Sequence, residues 1–221
     1  MNKEIHLKYV LNPEEFKDLL GSRIAAGLPG VESQLKMAPL QRVKELIEEP
    51  PEDAIQSSVL LLIYPRFGEL TTAVILRSEY DGVHSGQISL PGGRKEPSDR
   101  DLTATALRES MEETGIDPEQ VEIIGSLSSL YIDRSNYIVY PFVGFSRSRP
   151  EFKADPVEVS EIVEIDLALL LSPVSVVSRT IQLKNGFSFE VPGYNLGNHF
   201  MWGATAMIFS EFLEILQSVF P

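Results

Sequence analysis

No cysteine occurs among the 221 residues, so disulfides, thiolate metal sites and cysteine nucleophiles are all excluded, and a reducing intracellular compartment is compatible with the chain. Histidine is scarce, at three residues. No apolar run reaches membrane-spanning length, and residues 1–6, MNKEIH, lack the basic and apolar blocks of a secretory signal. A cytoplasmic protein with no membrane partner is therefore expected. Positive charge is in deficit: 19 Lys and Arg stand against 32 Asp and Glu, for a net charge of −13. That balance disfavours non-specific adhesion to nucleic acid or to anionic membranes, so no nucleic-acid partner is expected either. Internal repeats and low-complexity tracts are absent too.

Against these absences, 43% of the residues are hydrophobic, enough for one substantial core. Residues 1–52 read as a helical extension packed on that core and residues 53–221 as the main domain, together one globular unit. In the extension, Asn12 is a cap and Pro13 a first helical residue for a helix over 11–20, with Phe16, Leu19 and Leu20 on one face. Residues 21–30 read as a connector and 37–48 as a second helix, stopped by Pro50-Pro51. From residue 54 the pattern turns to strands: 54–64 and 70–77 about a turn at 65–68, with the continuous apolar run 59–63 implying burial on both faces.

Further on, strands are expected over 121–131 and Tyr137–Phe145 with a turn at 133–136, followed by an acidic, proline-containing loop at 151–161 and a strand at 162–165. A short helix Leu167–Leu171, a hairpin 174–183/186–191 about Lys184-Asn185-Gly186, and a last helix Gly203–Val219 complete the chain. Strands alternating with well-separated helices fit an α/β/α sandwich around a mixed sheet.

The segment 92–116, GGRKEPSDRDLTATALRESMEETGI, concentrates carboxylates at one spacing. On a helix Leu102–Thr114, Glu109, Glu112 and Glu113 stand at i, i+3 and i+4 and share one face. Like charges so placed cost a helix a few tenths of a kcal/mol each, a cost that a bound cation recovers. Hard cations such as Mg²⁺ prefer oxygen ligands and often combine carboxylates with substrate phosphates. Pro91-Gly92-Gly93 allows a tight loop before the helix, Ser98 or Asp99 can cap it, and Gly115 can end it in the left-handed conformation.

With loop, helix and stop assembled, the segment resembles the signature box of the Nudix hydrolases. Gly93 matches its leading glycine, Arg108-Glu109 its arginine-glutamate pair, Glu112-Glu113 its metal glutamates and Gly115-Ile116 its end. The resemblance implies a Nudix-like α/β/α sandwich with a catalytic loop-helix-loop, a small-molecule nucleotide substrate, and Mg²⁺ or Mn²⁺ held by Glu109, Glu112 and Glu113, with Arg108 orienting these glutamates. Two departures stand out. The gap between Gly93 and Arg108 is one residue longer than usual, leaving Arg100 or Asp99 where a glutamate is customary, and Ser110 holds a normally apolar position.

The longer gap, with Pro91-Gly92-Gly93 and Thr105-Ala106-Leu107-Arg108-Glu109, resembles the coenzyme A pyrophosphatase branch, as does Trp202-Gly203-Ala204-Thr205-Ala206. Arg77, Ser78, Gly86 and Pro91-Gly92-Gly93 match that branch's upstream motif, whereas Gly82 replaces an arginine and Leu90 a phenylalanine. The implied reaction is cleavage of coenzyme A or acyl-CoA to 3′,5′-ADP and (acyl-)4′-phosphopantetheine. Hydrolysis of ADP-ribose or another nucleoside diphosphate derivative is the alternative, and a catalytically silent nucleotide-binding regulatory module is the alternative of another class.

A negative chain that handles phosphates needs metal and a few well-placed cations. Arg77, Arg94, Lys95 and Arg134 are the candidates, with Arg77, Ser78, Gly92, Gly93 and Arg94 assigned to substrate. Glu158, then Glu161, is the candidate for a further glutamate acting as metal ligand or general base. His84 is read as structural or orienting, Trp202 as a packing residue at a helix start. Family analogy allows a homodimer through the N-terminal helices.

Overall fold

The computed structural model describes residues 12–43, 49–78, 86–182, 186 and 188–219. Asn12 and Glu15 form a reciprocal cap, with Asn12 accepting from the backbone N–H of Glu14 and Glu15 accepting from that of Asn12, ahead of α1 (Pro13–Ala25). Its buried stripe is Phe16, Leu20 and Ile24. Leu19, expected on that face, is 44% exposed, because one residue rotates a helix by about 100° and carries it off the stripe centred on Leu20. The helix also continues through the first half of the expected connector. After α2 (Val31–Leu35) comes a 3-10 turn, Leu40–Arg42, in place of the start of the expected second helix. Pro39 explains the difference, since the residue before a proline is pushed out of the helical region; residues 44–48 lie outside the described residues.

The remaining elements in chain order are β1 (Ile55–Arg66), β2 (Glu69–Arg77), β3 (Ile88–Ser89), β4 (Gly92–Arg94), α3 (Leu102–Thr114), β5 (Glu122–Ser126), β6 (Leu130–Ile132) and β7 (Tyr137–Phe145). They are followed by β8 (Val159–Asp166), α4 (Leu167–Leu171), β9 (Val176–Gln182), β10 (Ser188–Leu196), β11 (His199–Trp202) and α5 (Gly203–Val219). The main sheet runs β3-β2-β1-β7-β5, with β4 on β1, β6 on β7 and β8 on β2. It is mixed: β1 and β7 are parallel and the other pairs antiparallel.

Strand β1 shows why the sheet is covered twice. Its apolar run alternates, so Leu60, Leu62 and Tyr64 pack with Ala106 and Ile116 under α3, while Leu61 and Ile63 join the opposite core with Phe16, Leu20, Phe209 and Phe212. The result is an α/β/α sandwich, with α3 on one face and α1, α4 and α5 on the other. The apolar stripe of α1 is thereby buried on its own chain.

Several boundaries move for identifiable reasons. Phe67 and Gly68 both take positive φ, 52° and 84°, which tightens the β1–β2 turn and leaves Pro65 and Arg66 paired with Leu70 and Glu69. The expected strand 121–131 is broken into β5 and β6, which pair with opposite ends of β7. Pairing with β2 lengthens the expected strand 162–165 at both ends into β8. The hairpin expected at 174–191 is present as β9–β10, but β10 runs on and pairs with β11, giving a separate three-stranded sheet. Lys184 and Asn185 lie outside the described residues.

Candidate active site

Helix α3 is capped by Asp101, whose side chain accepts from Ala104 N at 2.8 Å, rather than by Ser98 or Asp99. Asp99 is used differently. It is buried, and accepts from Glu96 N and Thr105 Oγ1 as well as from Arg108 Nε and Nη2, the last two at 2.9 Å. The guanidinium holds this carboxyl well below the usual range. Arg100, the other residue at the displaced position, has a side chain 80% exposed and, among the described residues, pairs with Asp101 alone.

From this anchor Arg108 extends Nη1 to Glu109 Oε1 and Glu112 Oε2, each at 3.0 Å, and Nη2 to the Arg94 carbonyl at 3.1 Å. A single guanidinium thus ties helix, loop and two of the three glutamates together. The third, Glu113, has a side chain only 2% exposed. Its carboxylate accepts from Gly92 N at 2.8 Å and from Arg77 Nη1 at 2.9 Å, yet burial still pushes it up to about 7, against the opposing pull of Arg77. Burial also raises Glu109. Glu112, by contrast, has a side chain 54% exposed. Ser110, in its normally apolar place, is satisfied by donating to the Ala106 carbonyl at 2.7 Å.

The two glycines of β4 are required for different reasons. Gly92 has φ 153°, and a Cβ there would lie 2.2 Å from the Ser58 carbonyl oxygen and 2.6 Å from Val59 Cα. At Gly93 the Cβ would lie 2.5 Å from the Glu109 carboxylate, so the missing side chain is what lets that carboxylate approach the strand.

A cavity of about 560 Å³ opens on the other side of β4. Its floor follows one row of the sheet: Arg94 is paired across β1 Ser57 and onward to β7 Val139, and all three line it. Apolar walls come from Ile88, Leu90, Ile208, Phe189 and Trp202, and cations from Arg42, Arg77, Arg94 and Arg134. Among the described residues no Asp or Glu lines it. Arg77 therefore joins the two halves of the site, touching Glu113 on one side and the cavity on the other.

Among residues expected at the site, Arg77, Gly92, Gly93, Arg94 and Arg134 meet here. Ser78 and Lys95 do not line the cavity: Ser78 N donates to the Glu158 carbonyl at the β2–β8 edge and Lys95 N to the Gln56 carbonyl. Glu158 does not line the cavity; it is exposed, 3.7 Å from Arg77 Nη2. Glu161 is turned to His199, at 3.2 Å. Trp202 ends β11 directly before α5, and its ring packs edge-on against Phe189 at 6.4 Å. Phe189, Arg42, Ser135 and Tyr137 were not expected at the site; the small sheet, the N-terminal segment and the β6–β7 turn bring them in, and no local motif marks them. His84 and Gly82 lie outside the described residues.

Among the described residues no three acidic or histidine side chains are gathered closely enough to hold an ion as they stand. The donors nevertheless fit a hard divalent cation. They are all carboxylate oxygens, two of them are raised by burial, and the glycine strand leaves Glu109 unobstructed.

Residues 54–180 match the family model described as NUDIX domain. The chain belongs to the Nudix hydrolases. A protein described as "Uncharacterized Nudix hydrolase NudL" from Photorhabdus laumondii is 34% identical over 134 residues, 61% of this chain and 71% of that protein. Its namesake in Yersinia pestis is 35% identical over 153 residues, 69% and 75% respectively. The Nudix hydrolase RenU from M. smegmatis has the same fold, with TM-score 0.51 at 12% identity, covering 76% of this chain and 88% of that one. As a Nudix hydrolase this protein is a pyrophosphohydrolase of nucleoside diphosphate derivatives, a family chemistry that uses divalent cations. No helix among the described residues is long and apolar enough to cross a membrane.

Proposed function

We propose that this Nudix hydrolase cleaves the pyrophosphate bond of coenzyme A or an acyl-CoA, with Mg²⁺ or Mn²⁺, to 3′,5′-ADP and (acyl-)4′-phosphopantetheine. The observation that carries the reading is the cavity beside β4: in a chain of net charge −13 its lining among the described residues holds four arginines and no carboxylate, with apolar and aromatic side chains for walls. That combination suits a substrate with phosphates at one end and a long, largely uncharged arm at the other. The matches of Arg77, Ser78, Gly86 and Pro91-Gly92-Gly93 to the coenzyme A branch point the same way.

Glu109, Glu112 and Glu113 are the residues that would hold the cation, with Arg108 and Asp99 keeping two of them in place. Bound there, the divalent ion supplies charge neutralisation of the pyrophosphate and polarisation of the reacting phosphorus. Arg77 steadies the diphosphate as it passes from the cavity over the Gly92-Gly93 strand. Water attacks one phosphorus, its proton passes to a carboxylate, and the anhydride P–O bond breaks to leave two phosphate monoesters. Glu158 is the favoured base, because it is exposed beside Arg77, whereas Glu161 is engaged with His199.

Product analysis by mass after incubation with coenzyme A and, separately, ADP-ribose, each with Mg²⁺ or Mn²⁺ and with a chelator control, tests the reading. Metal-dependent 3′,5′-ADP from coenzyme A is expected. Cleavage of ADP-ribose alone would overturn the substrate, and nucleotide binding without turnover of any diphosphate would favour a regulatory module.

A further inference from the structure

Arg134 sits on the turn between β6 and β7, lines the cavity, and has no hydrogen-bond or ion-pair partner among the described residues. An unpaired guanidinium facing a cavity that no carboxylate of the described residues lines is a donor fork without an acceptor. Its position matters as much as its freedom. Along the cavity floor the strands run β4, β1, β7, β6, so three strand spacings, on the order of 14 Å, separate Arg94 from the β6 side. Arg77, bonded to Glu113, and Arg94, whose carbonyl accepts from Arg108, stand at the end of the cavity nearest the acidic helix, where the scissile diphosphate would lie. Arg134 stands at the far side, with Ser135 next to it and Arg42 on the neighbouring wall, held by donation from its Nη2 to the Tyr131 carbonyl at 3.0 Å. Arg134 thus enters the cavity from the edge that lies across the floor from Arg94.

We infer that Arg134 forms a second phosphate subsite, which recognises a phosphate monoester carried by the substrate away from the diphosphate. The inference rests on the proposed function and deepens it. In coenzyme A the matching group is the 3′-phosphate of the ribose, and Arg134 is then the residue that selects coenzyme A over otherwise identical substrates lacking that phosphate. A guanidinium is suited to this, since its planar fork binds two phosphate oxygens at once and remains charged at any working pH. Arg134 is a specificity residue that touches the substrate and takes no part in breaking the anhydride.

The test pairs binding with turnover. Calorimetry on the full chain should show 3′,5′-ADP binding about tenfold or more tighter than 5′-AMP, as a charge-assisted bidentate contact implies. Arg134→Gln should bring the two affinities together, and Arg134→Lys should restore part of the difference. A thermal melt checks that the folds match, which the exposed position favours. In the same preparations coenzyme A should be cut with a lower KM than dephospho-coenzyme A, and Arg134→Gln should erase that KM difference while kcat stays alike for the two. Equal binding of the two nucleotides by the wild type, or a preference that survives Arg134→Gln, overturns the subsite. Equal cleavage of coenzyme A and dephospho-coenzyme A overturns it too while leaving the proposed function standing. If neither is cut but the Arg134-dependent nucleotide preference persists, the proposed substrate falls and the subsite stands.

Discussion

Glu112 and Glu113 are adjacent in sequence and opposite in environment, so equal substitutions at the two positions should act differently. Glu112→Gln is isosteric, exposed, and removes one acceptor of Arg108; Tm is expected within about a degree of the wild type, with turnover reduced about 100-fold through loss of a metal-holding carboxylate. Unchanged turnover in that variant would sink the metal assignment. The glycines offer a second contrast. Gly92→Ala drives a Cβ into the backbone of β1 and should destabilise by about 1–3 kcal/mol in a urea titration. Gly93→Ala meets only the movable end of Glu109, so stability should be nearly kept while activity falls.

Asp99 contributes to stability on the acid side. Its carboxyl is depressed in the folded chain by Arg108, so its contribution is fully present above its unfolded value, about 3.9, and is lost as pH falls through the lower folded value. Asp99→Asn should therefore lower Tm at pH 6, and the gap from the wild type should begin to narrow as pH falls below about 4. A gap that stayed constant down to pH 2 would mean that the ion pair is not what Asp99 contributes.

At the scale of elements, α3 is set by its ends as well as by its faces. Asp101 caps its start, and Gly115, at φ 72°, ends it against Lys153. Asp101→Ala should cost about 1 kcal/mol and leave turnover per folded molecule close to the wild type, since Asp101 touches none of the glutamates. A loss of turnover beyond the unfolded fraction would show that the cap also places the site. The helix itself was legible because the loop before it, its glutamate spacing and its glycine stop agreed. The cap was not, since Ser98, Asp99 and Asp101 are all competent capping residues. Only the position of Arg108 in space shows that Asp99 is committed elsewhere.

At the scale of the molecule, the family-matched span ends before α5 and begins after α1, yet both helices fill the core beneath the sheet. Phe16 packs against Phe145 at 6.2 Å between ring centroids. Phe16→Ala should cost about 3–5 kcal/mol, and urea unfolding should remain one transition. An early, separate loss of the N-terminal segment would instead show it to be independently docked.

Composition and local pattern alone determined the absence of thiol chemistry, the alternation of strands and helices, and the helix bearing Glu109, Glu112 and Glu113, because each follows from residue type or from a period of two or 3.6. The cavity needed the tertiary structure. Its walls come from the 3-10 turn at Leu40–Arg42, the β6–β7 turn, β10 and α5, segments far apart in the chain whose meeting depends on strand order and register. The same holds for the division between a buried Glu113 and an exposed Glu112. Spacing puts both on one helix, but which carboxylate loses its water is decided by what the rest of the chain lays against it.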